Sequence, residues 1–219
     1  MIKFIDLKTQ QLKIRSKVET RIKNILNHGQ YILGPEIDEL QNKLSKFCDS
    51  KYVLCCSSGT DALLLSLLGL GIKPGEGVLV PSFTFASSAE VVPLLGAIPI
   101  FVDVDKSNFN ISTNSILAGI ESAKKHHINL KGIMTVGLFG QPCKMDEINK
   151  IAKNNDLWVL DDAAQSLGAT YQGIPVGNLA KVTATSFFPS KPLGCYGDGG
   201  AIFTNNKKIY EIAYSAHLH

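Results

Sequence analysis

Arginine is almost absent from this 219-residue sequence: 20 of its 22 basic side chains are lysines, and only Arg15 and Arg21 depart from that rule. The lysines are scattered among 19 acids, and the formal charge is +3. A nucleic-acid surface needs a clustered basic face, so none is expected. The five cysteines, Cys48, Cys55, Cys56, Cys143 and Cys195, form no CxxC pair, and their odd number fits a disulfide framework poorly. A reducing cytoplasm is the simpler setting. The five histidines, His28, His126, His127, His217 and His219, show no ligand spacing of the HExxH kind, and no metal is expected. No apolar stretch approaches the roughly 18 residues of a membrane span, and the N-terminus has no apolar signal region. A soluble, cytoplasmic protein without a membrane partner follows. GxxxxGK[ST] is also missing, as is a GxGxxG after the first strand.

What is present is a core: 45% of the residues are hydrophobic, enough for one ordinary globular domain. Over residues 11–27, Leu12, Ile14, Val18, Ile22, Ile25 and Leu26 recur mostly at three- and four-residue spacing, which predicts an amphipathic helix ended by Gly29. Pro35 opens a second helical pattern through Ile37, Leu40, Leu44 and Phe47. Apolar runs at 52–56, 78–81, 98–104, 132–138 and 157–161 read as buried strands, and 183–188 and 200–204 as two more. Helical patterns at 61–70, 87–95, 113–124 and 145–154 separate the first five. Such alternation implies a mainly parallel sheet with helices on its faces. Ligands of such sheets bind beyond the strand C-termini, so the turns there carry the functional expectation.

Three of those turns stand out. Residues 55–63 run from a strand through Ser57, Ser58, Gly59 and Thr60 into a strongly helical sequence. Free amides and the positive helix end would meet there. Ser58, Gly59 and Thr60 could hold a phosphate; equally, Ser58 or Thr60 could simply cap the helix. The strand at 157–161 delivers Asp161 and Asp162, adjacent acids that point in different directions on an extended chain and so suit no shared acid/base pair. In the third, residues 186–200, Lys191 lies between Pro189 and Pro192 in a glycine-rich turn. Most lysines are solvated, but apolar neighbours favour the neutral amine that attacks a carbonyl.

Taken together, GQYILGPEIDELQNKL, SSGTDALLLSL, VPSFTFASSAEVVPLLGAIPIFVDVD, GLFGQPCKMDEI, DDAAQSLGATYQG and SFFPSKPLGCYGDGGAIFTN resemble the DegT/DnrJ/EryC1/StrS family of sugar aminotransferases. The resemblance implies the three-layer α-β-α large domain of fold type I pyridoxal-phosphate transferases, with residues 1–35 as an N-terminal helical segment and 36–219 as the cofactor-binding domain. It makes Lys191 the Schiff-base lysine and proton shuttle. Asp162 would pair with the pyridine nitrogen and Gln165 lie near the ring hydroxyl. Ser186, Gly59 and Thr60 would bind the phosphate, in agreement with the helix-end reading of residues 58–60. Phe85 would stack on the ring, with Phe83 a rival and a core phenylalanine the plainer alternative. Glutamate and a keto-sugar nucleotide are the implied substrates and a homodimer the implied assembly, in the making of surface polysaccharide. The wording is most similar to the branch that aminates 3-keto UDP-N-acetylhexuronic acids. Family members continue beyond this sequence into a smaller C-terminal domain. An alternative follows from that: an impaired homologue that only binds cofactor or sugar nucleotide.

Overall fold

A computed structural model describes residues 5–218; the first four residues of the N-terminal segment, and His219, lie outside the described residues. Helix α1 (Leu7–His28) begins where the Asp6 side chain accepts the amide of Thr9 at 3.1 Å and ends at Gly29, with φ 70°. That left-handed turn is cheap only for a residue without Cβ. The helix starts earlier than its apolar spacing indicates, because the cap lies upstream of the first periodic residue. Helix α2 (Pro35–Cys48) has proline in its first turn. α1 buries no side chain. Its link to α2 includes the paired contacts of Arg21 with Glu39, at 2.8 and 3.0 Å, and that of His28 with Glu36, at 3.2 Å. The apolar face read from the sequence is therefore uncovered, and Leu26 is 64% exposed.

Seven strands make one sheet, in the order β1 (Tyr52–Cys56), β9 (Gly200–Thr204), β8 (Val182–Ser186), β5 (Trp158–Asp162), β4 (Leu130–Val136), β2 (Gly77–Pro81), β3 (Ile98–Val102). β9 runs antiparallel to both neighbours, and the pairs among β8, β5, β4, β2 and β3 are parallel. Alternate residues on a strand face opposite ways, and this sheet packs both faces. Val78, Val80, Leu160 and Ile202 join the core beneath α3 (Gly59–Leu70), α4 (Ser87–Leu94) and α7 (Lys207–Leu218). Leu79, Ile133 and Val159 join the opposite core with α5 (Thr113–Lys125) and α6 (Met145–Asn154). Val53, Ala201 and Phe203 pack with Leu44 and Cys48 of α2. The result is the three-layer α/β arrangement with a mainly parallel sheet.

Three features differ from expectation. β3 is an edge strand, not a buried one: Phe101 is 59% exposed. A hairpin of two-residue strands, β6 (Thr170–Tyr171) and β7 (Ile174–Pro175), and the helix α7 were not anticipated. The expected strand at 132–138 sits at Leu130–Val136 instead, and Leu138–Gly140 forms a 3-10 turn with Phe139 at φ 56°. Among the described residues no helix is long and apolar enough to cross a membrane.

Candidate active site

The C-terminal ends of β1, β2, β4, β5 and β8 open onto one cavity of about 480 Å³. All eight residues singled out in the sequence line it: Ser58, Gly59, Thr60, Phe85, Asp162, Gln165, Ser186 and Lys191. Thr84, Ser87, Phe188, Ser190 and Asp198 line it too and carried no distinguishing signal, being common turn or helix-start residue types.

At one end lies the start of α3. Ser58 caps it, its Oγ accepting the Asp61 amide at 3.0 Å, so the capping alternative describes this hydroxyl. The amides of Gly59 and Thr60 precede that bond, at the positive end of the helix. Gly59 is held against Ser186: a Cβ here would lie 2.6 Å from that of Ser186, so only backbone and hydroxyls shape this corner. The Thr60 hydroxyl lies 2.9 Å from that of Ser87. Among the described residues no group of three or more His, Cys, Asp or Glu side chains is arranged to hold a metal.

At the other end is Asp162, the last residue of β5, 6% exposed. Its Oδ2 accepts the Ser88 hydroxyl at 2.8 Å and its Oδ1 the Ala164 amide at 3.1 Å. Burial raises its pKa above the usual carboxylate range, against the two hydrogen bonds and the positive charge of Lys191. Asp161 points to the opposite side, as strand alternation requires, and accepts the Thr135 hydroxyl at 2.7 Å. Burial pushes it up to about 7, with the charge of Asp162 adding and Thr135 opposing. A folded pKa above the unfolded one means stability that is full below about pH 4 and lost as pH rises through about 7. In Asp161→Asn that loss is expected to shrink, by at most ~1.4 kcal/mol per pH unit. Urea unfolding of both proteins at pH 5 and pH 8 measures it, and an identical fall in both would count against the assignment.

Lys191 is half-buried on the loop between β8 and β9. The loop is pinned at its base, where Phe187 and Gly199 are joined by a 2.7 Å bond from amide to carbonyl, and Cys195 donates to the Phe187 carbonyl at 2.7 Å. The Lys191 amide closes a turn onto the Phe188 carbonyl at 2.8 Å. Gly194 lets the loop fold back on itself: a Cβ would meet the Pro189 carbonyl at 2.3 Å. Gln165 has its Oε1 occupied by the Phe139 amide at 2.8 Å. Phe85 is 71% exposed and lines the cavity, so it is no core residue; Phe83 packs instead against Phe109, centroids 5.5 Å apart and rings tilted by 41°.

Residues 12–219 match the DegT/DnrJ/EryC1/StrS aminotransferase family. The chain belongs to that family. A DegT-family relative from Pseudomonas aeruginosa, UDP-2-acetamido-2-deoxy-3-oxo-D-glucuronate aminotransferase, is 48% identical over 95% of this chain and 56% of its own length. The crystal structure of a DegT DnrJ EryC1 StrS aminotransferase from Brucella abortus superposes with a TM-score of 0.95 at 42% identity, over 98% of this chain and 58% of that one. That of NtdA from Bacillus subtilis, with bound cofactor PMP, gives 0.86 at 30% identity, over 97% and 47%. The chain thus spans about half the length of the relatives it matches. DegT-family aminotransferases depend on pyridoxal phosphate. The cavity fits that group: a helix N-terminus with hydroxyls at one pole, a buried carboxylate at the other, and a corner at Gly59 that excludes any side chain.

Proposed function

We propose that this chain is the pyridoxal-phosphate-binding large domain of a sugar-nucleotide aminotransferase. The amino group passes from glutamate to the 3-keto carbon of a UDP-N-acetylhexuronic acid. Within the described residues, 36–218 belong to that domain and 5–35 to the helical segment before it. The observation that carries this reading is the gathering of Lys191, Asp162 and the Thr60 and Ser186 hydroxyls around one cavity. The 48% identity to the Pseudomonas aeruginosa enzyme supports the substrate class. The reading extends to a homodimer in the cytoplasm that serves lipopolysaccharide or other surface polysaccharide synthesis.

Bound pyridoxal phosphate supplies the electron sink for charge left on the substrate carbon. The Gly59 and Thr60 amides, with the Thr60 and Ser186 hydroxyls, bind its phosphate at the positive end of α3. The Asp162 carboxylate holds a proton on the ring nitrogen. Gln165 orients the ring hydroxyl, and Phe85 lies against the ring face. The Lys191 Nζ would be the point of covalent attachment and, once displaced by the amine of the substrate, the free base at the reacting carbon in each half-reaction.

The test needs no sugar in its first stage. The chain is loaded with pyridoxal phosphate and given glutamate, and the spectrum of the cofactor is expected to change to that of its amine form. Adding UDP-2-acetamido-2-deoxy-3-oxo-glucuronate should restore the original spectrum and yield the 3-amino sugar. A loaded protein that glutamate leaves unchanged sinks the proposal; restoration by dTDP-linked keto sugars alone sinks the choice of substrate.

A further inference from the structure

Two consecutive serines open α4, and neither caps it. The cap position is held by Ala86, which has no side chain to offer. A serine at a helix start normally satisfies that helix's own amides, yet both of these hydroxyls turn to other elements. Ser87, 8% exposed, meets the Thr60 hydroxyl of α3; Ser88, fully buried, donates to Asp162 of β5. Consecutive helical residues point about 100° apart, so one turn of α4 touches both poles of the cavity. The chain of hydroxyls continues: Thr84, which lines the cavity, lies 3.0 Å from Ser88.

We propose that Ser88 is a positioning residue for cofactor binding: its hydroxyl, seated against Thr84, fixes the orientation and the ionised form of the Asp162 carboxylate from a point outside the cavity. The inference rests on the proposed function, because it gives Asp162 the ring nitrogen as its partner. The geometry supplies the reason. Asp162 is buried at the edge of the cavity, with the buried Leu160 and Ala163 beside it along the chain, and the charged groups that act on it are Asp161, which turns to the other face of the sheet, and Lys191. A carboxylate there keeps its charge and its rotamer through the groups that donate to it. Of the two donors found among the described residues, the Ala164 amide is set by the backbone. The Ser88 hydroxyl is the one a side chain provides.

The experiment is a titration of pyridoxal phosphate into the parent chain, Ser88→Ala, Asp162→Asn and the double variant, followed by fluorescence quenching and by the absorbance of the bound cofactor against pH. Ser88→Ala is expected to weaken binding roughly ten- to hundredfold, the range for a hydrogen bond to a buried charge. It should also move the pH midpoint of the bound absorbance upward, since the carboxylate loses a donor. In the Asp162→Asn background the same change should have little further effect, because its partner is already gone. Ser88→Cys keeps nearly the same volume but donates weakly, and it should follow the alanine variant. Ser87→Ala, which does not touch Asp162, should leave the pH midpoint in place. Additive losses in the double variant, or parental binding by Ser88→Cys, overturn the assignment and leave the proposed function standing. A parent chain that binds no pyridoxal phosphate overturns both.

Discussion

Lys191→Ala is expected to abolish transamination and to leave no covalently attached pyridoxal phosphate after gel filtration. The lysine closes a turn in a loop held by backbone groups of Phe187, Phe188, Lys191, Cys195 and Gly199, by the Ser186 hydroxyl and by the Cys195 thiol; none of these bonds uses the lysine side chain, and alanine keeps every one of them. The fold should therefore survive, with far-ultraviolet circular dichroism unchanged, while the Lys191 amine at the cavity is gone. Two roles disappear together, attachment and proton transfer. Positioned proton transfer alone contributes roughly 10²–10⁴-fold, so turnover should fall by at least about three orders of magnitude. Retention of the long-wavelength cofactor absorbance in the purified variant would remove Lys191 from its assigned place.

Asp162→Asn should separate function from stability. With cofactor and substrates, turnover is expected to fall by roughly 10²–10³, the scale for removing a preorganised charge from a buried site, because asparagine cannot hold the ring nitrogen's proton. Without cofactor the sign reverses. Burial raises the folded pKa of Asp162, so the stability its protonated form contributes is present at low pH and lost as pH rises. Asparagine does not ionise, and the variant should become more stable than the parent as pH increases, with the gap closing toward acid. Turnover assays together with urea midpoints at pH 5 and pH 8 measure both arms. A variant that is less stable at every pH would mean that the carboxylate is structural rather than held in readiness for a cation. Such opposition between activity and stability is what a site built for charge implies.

Much of this architecture is legible in the residues. The switch from helical spacing to short apolar runs after Cys48 gives the layers, and glycine at 29 and proline at 35 mark the helix ends that the structure has. β3 shows why burial is harder to read. Ile98, Ile100 and Phe101 look like a core strand, but a strand's place in the sheet depends on pairings far along the chain, and this one lies at the edge. β6 and β7 are too short for any period to show. In the cavity, Asp161 and Asp162 separate by strand alternation, which a sequence does reveal. Ser87 and Ser88 do not announce themselves: serines at a helix start are ordinary caps, and only the contacts to Thr60 and Asp162 say otherwise. Ser58 goes the opposite way, its hydroxyl engaged with its own helix.

The antiparallel strand β9 also sets an order of assembly. β1, which leads into Ser58 and Gly59, has β9 as its neighbour, with Tyr52 opposite Thr204 and Cys56 opposite Gly200. About two thirds of the 219-residue sequence separates those partners, and closing so long a loop is an entropic expense that local contacts do not share. As the chain leaves the ribosome from its N-terminus, the first strand must wait for one of the last. The end of the cavity at Gly59 therefore gains its neighbouring strand late, after residues 187–199 have been made.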